Sequence, residues 1–291
     1  PADVDPETFA LTAATVLAAA GPRTIGVVPV HPFGIPAPMD ALEALCAARG
    51  WWLVEDAACA LGTVQGPPAP WGSGRHPVCL SFHARKVLTT GEGGVVGTND
   101  AVLATRIRTL RNHGIAAGPL DDGSPRGWRR FDAAGFNYRM TDLQAALGLV
   151  QLGRLDAIVA DRRRVGRCYV EALGALPSVR LPSGYDIARQ CVQSLVIELS
   201  GDLSRDRIIA TLAARGIQTT IGGYALAEQP YYVARYGLVA EDFPVSRRLA
   251  HHGLTLPLTG AMDESSVARV VGALVEASGT AAPRAPTNSG A

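Results

Sequence analysis

The chain has 291 residues, enough to bury a large core in one or two domains. Hydrophobic residues make up 47% and charged residues 18%, which is typical of a globular protein and excludes an extensively disordered one. The net charge of +1 argues against a nucleic-acid partner, and no apolar run is long enough to span a bilayer. The acidic N-terminus lacks the basic start of a secretory signal.

The cysteines and histidines do not indicate a disulfide framework or a metal site. The five cysteines are scattered and never form a C-x-x-C pair, which favours free thiols in a reducing cytoplasm. His251 and His252 are adjacent, so their side chains diverge on a helix or a strand. We therefore expect a cytoplasmic protein without a bound metal.

The first half of the sequence alternates short apolar runs with helical patterns, which is typical of a parallel sheet covered by helices. In chain order the patterns predict a helix over residues 11–20, a strand over 24–30, a helix over 39–49, strands over 52–55, 78–82 and 93–97, and a helix over 101–112. Asn99 or Asp100 can cap the last of these helices. A loop rich in Gly, Pro and Asp follows over residues 114–127. These elements predict an α/β fold with a mostly parallel sheet.

The second half begins with a helical pattern over residues 141–173 that is long enough to bridge two domains or to line a subunit interface. The patterns then predict a strand over 192–199, a helix over 204–215, a strand over 217–220, a helix over 265–277, and from Gly279 a disordered, proline-rich tail. We therefore divide the chain into a large domain (residues 1–164), a smaller α+β domain (165–278) and a tail (279–291).

Lys86 is the single lysine of the chain, since the other 26 of the 27 cationic residues are arginines. A lysine amine can lose its proton and attack a carbonyl, whereas a guanidinium stays charged. Composition alone leaves two explanations open. Either Lys86 is kept for this chemistry, or it survives by chance at a surface position.

Asp56 and Lys86 each follow a predicted strand. Ligands of open α/β sheets bind outside the carboxyl ends of the strands, so both side chains are expected at a ligand site. This pair suits pyridoxal phosphate (PLP), which binds a lysine as a Schiff base and needs an acid beside its pyridine nitrogen. Taken alone, however, the two residues are explained more simply by a salt bridge at a strand end.

Three segments resemble the DegT/DnrJ/EryC1/StrS family of fold-type I sugar aminotransferases. They are VEDAACALG over residues 54–62, SFHARKVLTTGEGG over 81–94 and GFNYRMTDLQAA over 135–146. The segments DVDPETF (3–9) and VHPFG (30–34) are also similar, and the resemblance extends in family order to about Ser278. It implies a fold-type I PLP-dependent enzyme and a functional Lys86.

The resemblance also implies roles for individual residues. Lys86 corresponds to the lysine that holds PLP and moves the proton, Asp56 to the partner of the pyridine nitrogen, and Ser81 to a donor to the phosphate. Asn137 corresponds to an asparagine that reaches the phosphate of the neighbouring subunit, which implies a homodimer with shared active sites. His83 is either close to the cofactor or a structural loop histidine.

Three departures from the family pattern affect this prediction. Cys59 stands where the family usually has a glutamine that frames the cofactor ring, and a thiol cannot replace the hydrogen bonds of an amide. Ala227 stands where relatives commonly have a histidine, in a region that faces the substrate. The large domain is expected to be incomplete at its N-terminus, because the family's Ser-Gly-Thr phosphate turn and stacking aromatic residue precede the matching region.

The sequence therefore predicts ping-pong transamination of a nucleotide-linked keto sugar, with an amino-acid donor such as glutamate. The alternative is a non-catalytic homologue that keeps the fold and binds PLP weakly or not at all. A P-loop NTPase and an α/β-hydrolase are excluded, because the chain has neither a G-K-[ST] nor a G-x-S-x-G motif. A dehydratase branch of the family has a histidine in place of the lysine, so Lys86 argues against that branch.

Overall fold

The computed structural model of the chain describes residues 1–64, 76–116 and 128–279. The helices within these ranges are α1 (Ala13–Ala19), α2 (Met39–Arg49), α3 (Ala101–Leu110), α4 (Asp142–Leu152), α5 (Leu155–Leu173), α6 (Arg205–Ala214), α7 (Pro230–Tyr236), α8 (Pro244–His252) and α9 (Glu264–Ser278). The strands are β1 (Gly26–Val27), β2 (Trp52–Leu53), β3 (Glu55–Asp56), β4 (Val78–Ser81), β5 (Gly94–Gly97), β6 (Val179–Arg180), β7 (Leu195–Leu199), β8 (Thr220–Ile221) and β9 (Gly253–Leu256). The described residues of the first half mix helices and strands in the order α1-β1-α2-β2-β3-β4-β5-α3, which fits the predicted α/β fold.

The strands of the first half are mostly parallel. β1 pairs with β2 and β3 pairs with β4 in parallel, whereas β5 is antiparallel to β4. A parallel bridge between Val30 and Asp56 connects the two groups. The strand predicted over residues 24–30 forms a ladder only at β1, because Pro29 has no N–H to donate and interrupts the pairing.

Helices α1 and α2 pack with β1 and β2 around one cluster of buried side chains. Thr12 caps α1, since its hydroxyl accepts from Thr15 N–H at 3.3 Å while Thr15 Oγ1 accepts from Thr12 N–H at 3.0 Å. This cap starts the helix two residues later than predicted. α2 has the predicted bounds. Gly50 follows it as the C-cap and adopts a left-handed φ of 65°, which glycine tolerates because it has no side chain. The buried members of the cluster are Ala10, Val16, Val27, Ala37, Met39, Leu42, Cys46 and Leu53.

The second half contains an antiparallel sheet of order β6-β7-β9-β8. Every residue of β7 is buried. Leu195, Ile197 and Leu199 form one core with side chains from α5, α6, α9 and β9, whereas Val196 and Glu198 lie outside this cluster. The largest of these fully buried side chains are Tyr169, Leu173, Leu195, Ile197, Leu199, Ile208, Leu212, Leu254 and Leu256. This sheet fits the smaller α+β unit that the sequence predicts.

The prediction of one continuous helix over residues 141–173 is wrong. The structure has two helices, α4 and α5, bent by 62°. The break lies at Gly153 and Arg154, and Arg154 leaves helical geometry with φ −113° and ψ 6°. The apolar pattern continues across the break, so periodicity alone does not reveal it.

Several other boundaries differ from the prediction. The strand predicted over residues 192–199 begins at Leu195, because Val192 has a φ of +49° that is incompatible with an extended ladder. The strand predicted over 217–220 is shifted to β8. The patterns missed β6, α7, α8 and β9. Most of the predicted loop over residues 114–127, and the predicted tail beyond Gly279, lie outside the described residues.

The predicted domain boundary at residue 164 falls within α5. Val159 packs with Val87 and Cys191, whereas Val165 and Tyr169 belong to the core of the second half. The division into two domains stays a prediction. Within the part of the chain that the structure describes, no single helix is long and apolar enough to cross a membrane; α4 and α5 together meet that length and composition only as the bent pair.

Candidate active site

Asp56 and Ser81 lie at the carboxyl ends of two neighbouring parallel strands. Asp56 of β3 is the partner of Cys79 in β4, which places Ser81 two residues further along β4. Asp56 Oδ1 accepts a hydrogen bond from Ala58 N–H at 3.0 Å. Burial raises the pKa of the Cys79 thiol, and the negative charge of Asp56 raises it further. A carboxylate and a hydroxyl are therefore present at one edge of the sheet.

Lys86 lies in an irregular loop that follows β4. Its backbone N–H donates to His83 O at 2.9 Å, and the buried side chains of Val87 and Leu88 anchor the loop on its other side. Lys86 Nζ is 3.0 Å from the Sγ atom of Cys59, in the turn that follows β3. The amine therefore lies at the strand ends, beside the turn that Asp56 begins.

His83 shapes the turn that precedes Lys86. The backbone N–H of His83 donates to Ser81 Oγ at 3.3 Å, and the ring Nδ1 of His83 accepts from the backbone N–H of Arg85 at 3.2 Å. Its Nε2 is 3.7 Å from Glu92 Oε1, and both side chains are exposed, so this ion pair is weak. These contacts show that His83 holds the turn, and its position beside the cofactor stays a prediction.

A buried polar pair that the sequence analysis missed supports β3 from within. His31 is fully buried and its Nε2 is 3.1 Å from Glu55 Oε2. His31 Nδ1 accepts from Ala37 N–H at 3.0 Å, which assigns the ring proton to Nε2 and makes His31 the donor to Glu55. The only signal in the sequence was the resemblance of the segment VHPFG to the family, which assigned no function to the histidine.

A segment of the second half packs against the Lys86 loop. Cys191 Sγ donates to Cys59 O at 3.2 Å, and Gln193 Nε2 donates to Arg85 O at 2.7 Å. Burial raises the pKa of the Cys191 thiol. Sequence reasoning missed both residues, because they lie more than a hundred positions from their partners and belong to no motif.

Asn137 is not brought to these residues within one chain. It is exposed, and its backbone forms a bridge with Asn112. The rings of its neighbours Phe136 and Tyr138 stack with centroids 5.0 Å apart, and both are more than half exposed. Among the described residues, no hydrogen bond joins Asn137 to Asp56, Ser81 or Lys86.

The region predicted to face the substrate contains a small cavity. It has a volume of about 140 Å³, and its lining residues include Phe9, Phe33, Tyr224 and Ser246. Tyr224 is 77% exposed, whereas Ala227 is only 4% exposed. The side chain at the position that departs from the family pattern is therefore buried, whereas Tyr224, which lines the cavity, is accessible.

The groups at the sheet edge fit PLP chemically. Lys86 provides an amine that can form a C=N bond, Asp56 a carboxylate for a pyridine nitrogen, and Ser81 a hydroxyl for a phosphate oxygen. The three come from two adjacent strand ends and the loop between β4 and β5. These three groups provide an amine, an acceptor for the pyridine nitrogen and one donor for the phosphate.

The chain is similar to proteins of known class over nearly its whole length. The model of the DegT/DnrJ/EryC1/StrS aminotransferase family matches residues 1–275. GDP-perosamine synthase of Caulobacter vibrioides is 36% identical over 276 residues, which covers 94% of this chain and 71% of that protein.

Two solved structures are similar in both sequence and fold. The aminotransferase TlmJ from Streptoalloteichus hindustanus matches with a TM-score of 0.82 and 32% identity, over 95% of this chain and 72% of that one. DesI, solved in the presence of its TDP-sugar product, matches with a TM-score of 0.80 and 32% identity, over 95% of this chain and 68% of that one.

Proposed function

This chain belongs to the DegT/DnrJ/EryC1/StrS aminotransferase family, and from this membership we propose that it transfers an amino group from glutamate to a nucleotide-linked keto sugar. The observation that best supports the proposal is the position of Lys86. Its amine lies 3.0 Å from Cys59, at the ends of the strands that carry Asp56 and Ser81.

Family membership establishes the general chemistry. The protein is a PLP-dependent aminotransferase by family, and its relatives include enzymes that make or bind nucleotide-linked sugars. When bound, PLP supplies an aldehyde carbon that takes up the amino group and a ring that accepts electrons.

The residues at the sheet edge have separate functions in the proposed reaction. Lys86 binds the cofactor covalently through Nζ and, once released, acts as the base and acid that moves the proton in both half-reactions. The Asp56 carboxylate accepts a hydrogen bond from the pyridine nitrogen and stabilises its protonated form. The Ser81 hydroxyl donates to the phosphate. Cys59 contacts the Lys86 amine but cannot provide the hydrogen bonds of an amide.

The nucleotide-linked form of the sugar is supported by what the relatives act on. GDP-perosamine synthase is named for a sugar joined to GDP, and DesI was solved in the presence of a TDP-sugar product. For this chain, a substrate of that kind is a proposal. The exposed Tyr224 beside the 140 Å³ cavity offers an aromatic surface for such a substrate.

A homodimer with shared active sites is also part of the proposal. Asn137 has no hydrogen bond to Lys86 within the described residues of its own chain, and its neighbours in sequence, Phe136 and Tyr138, have exposed aromatic rings. Exposed apolar groups of this kind commonly mark an interface. In the proposed dimer, Asn137 reaches the phosphate bound by the other subunit.

The proposal is tested first by absorption spectroscopy. We expect PLP to give the purified protein a visible absorption band, and we expect glutamate to remove it. Lys86→Ala should abolish the band, and so should Lys86→Arg, which keeps the positive charge but cannot form a C=N bond with the aldehyde. A nucleotide-linked keto sugar should then restore the band after the glutamate step.

One outcome would contradict cofactor binding, and another would contradict glutamate as the amino donor. A folded wild-type protein without the band would favour the alternative, a homologue that keeps the fold without binding PLP. A band that other amino acids remove and glutamate does not would exclude glutamate as the donor and leave the cofactor site intact.

A further inference from the structure

The loop that carries Lys86 belongs to no helix or strand, so its backbone is held by individual contacts. The peptide unit between Arg85 and Lys86 is hydrogen-bonded at both ends. Its N–H donates to His83 O at 2.9 Å, and its C=O accepts from Gln193 Nε2 at 2.7 Å. Fixing both ends of this peptide fixes the direction in which the Lys86 side chain leaves the backbone.

Gln193 is itself held rigidly. Its side chain is only 8% exposed. Arg162 of α5 donates through Nη2 to Gln193 O at 2.7 Å and, through Nε and Nη2, to Val192 O at 3.0 and 2.9 Å. The guanidinium is largely buried, and this burial lowers the pKa of Arg162. A buried cation therefore holds the backbone that presents the Gln193 amide to the loop.

The backbone around Gln193 is also unusual. Val192 is fully buried and has a φ of +49°, which a β-branched residue rarely adopts. Gly34 approaches this segment so closely that a Cβ atom there would lie 2.8 Å from Cys191 Sγ and 3.3 Å from Gln193 N. Strained backbone and close approach persist where the surroundings fix one geometry, often at functional sites.

From these contacts we propose that Gln193 is a positioning residue for Lys86. Its amide, contributed by the second half of the chain, fixes the Arg85–Lys86 peptide so that the amine points to the strand ends that carry Asp56. This inference rests on the proposed function of Lys86 as the cofactor-binding lysine. Gln193 itself does not contact the reacting atoms.

The chain offers a matched control for this proposal. Gln190 is 1% exposed, and its Nε2 also donates to a backbone carbonyl, that of Gly184, away from the Lys86 loop. Both glutamines also have a buried Oε1 atom without a hydrogen-bond partner among the described residues. Replacing either by methionine, which is unbranched and of similar length, removes one buried donor and keeps the volume.

The experiment is a titration of each apo-protein with PLP, read from the Lys86-dependent absorption band, beside thermal unfolding. We expect both variants to lose thermal stability. Only Gln193→Met should weaken PLP binding, by about tenfold, since it leaves the Arg85 carbonyl without its donor. Gln193→His, which keeps an N–H at a similar distance from Cα, should recover part of the loss.

Each result decides between the possibilities. A Gln193→Met protein that binds PLP as tightly as wild type would overturn the inference, and so would an equal loss in Gln190→Met. If Gln193→Met does not fold, Gln193→Leu replaces it, because leucine also has no donor; wild-type binding by that variant overturns the inference as well. Absence of the band in wild type would instead contradict the proposed function.

Discussion

At the scale of single residues, Cys59 is the departure from the family pattern with the clearest structural consequence. Its thiol is 3.0 Å from Lys86 Nζ, and its carbonyl accepts from Cys191 Sγ at 3.2 Å. A thiol is a weaker hydrogen-bonding group than an amide. The lysine amine therefore has a soft, polarizable neighbour where the resemblance to the family leads us to expect a glutamine.

Differences in burial predict which cysteines react with iodoacetamide in the apo-protein. Cys59 is partly exposed, whereas Cys46 and Cys191 are buried and burial raises the pKa of both thiols. We expect iodoacetamide at pH 8 to modify Cys59 at least tenfold faster than those two cysteines, as measured by peptide mass spectrometry.

Bound PLP should protect Cys59, because the cofactor would be attached to the amine that Cys59 contacts. In Lys86→Ala the protection should disappear, and modification of the partly exposed Cys168 serves as the internal reference. Equal labelling of Cys59 with and without PLP in the wild-type protein would contradict the proposed arrangement.

The residues of the candidate site divide into those that a sequence can reveal and those that it cannot. Asp56 and Lys86 follow predicted strands, so topology predicts both at one sheet edge, whereas Ser81, within the strand predicted over residues 78–82, was indicated by the resemblance to the family. The contact of Gln193 with Arg85 joins residues 108 positions apart and obeys no local periodicity. Contacts of this kind depend on how the two halves pack, which local patterns do not specify.

At the scale of elements, α4 supports the loop that follows Lys86. Gln151 binds both backbone groups of Thr89: Nε2 donates to Thr89 O at 2.5 Å, and Oε1 accepts from Thr89 N–H at 3.2 Å. The side-chain amide thus replaces the partner that a strand would provide. Gln144 Nε2 adds a bond to Glu92 O at 2.8 Å, so α4 holds the loop at two points.

We expect Gln151→Leu to lower the free energy of unfolding by about 2 kcal/mol, because both Thr89 groups lose their partner. Urea unfolding measures this change. Gly153→Ala is the control: Gly153 has a helical φ of −63°, and a methyl group at this position would have its nearest neighbouring atom 3.6 Å away. That variant should be unchanged or more stable by about 0.5 kcal/mol. Equal stability of Gln151→Leu and wild type would contradict the proposed support.

The bounds of a helix are predictable where the sequence shows both its apolar face and a residue that ends it. α2 has both its apolar face and a glycine stop, and its bounds were predicted correctly. The bend between α4 and α5 was not predicted, because the apolar repeat continues through Gly153 and Arg154. The strand predicted over residues 24–30 is too long, because its apolar run continues past Pro29, which has no N–H to donate to the ladder.

At the scale of the whole molecule, one surface is more apolar than a monomer requires. The exposed fractions of Leu143, Leu149 and Val150 on α4 are 85%, 70% and 66%, and Phe136 and Tyr138 are exposed just before this helix. The α4 side chains form an exposed apolar stripe on a helical pattern (residues 141–173) that the sequence predicts either to bridge two domains or to line a subunit interface. A second subunit that covers the stripe would also bury the segment that carries Asn137.

The proposed dimer predicts complementation between two inactive variants. Lys86→Ala lacks the cofactor amine, and Asn137→Asp places a negative charge against the phosphate bound by the other subunit. In a mixed dimer, one site combines the intact Lys86 of one subunit with the intact Asn137 of the other. Because the two-fold interface makes the sites equivalent, random exchange at equal amounts should restore about a quarter of wild-type sites.

The measurement is the glutamate-dependent loss of the PLP absorption band after the two variants are unfolded and refolded together. Each variant refolded alone is the control for residual activity. Activity of the mixture that equals only the sum of the separate variants would show that Asn137 acts within its own chain or not at all. A monomer in analytical ultracentrifugation would exclude the shared site directly, so these two measurements decide whether one catalytic centre needs two copies of this chain.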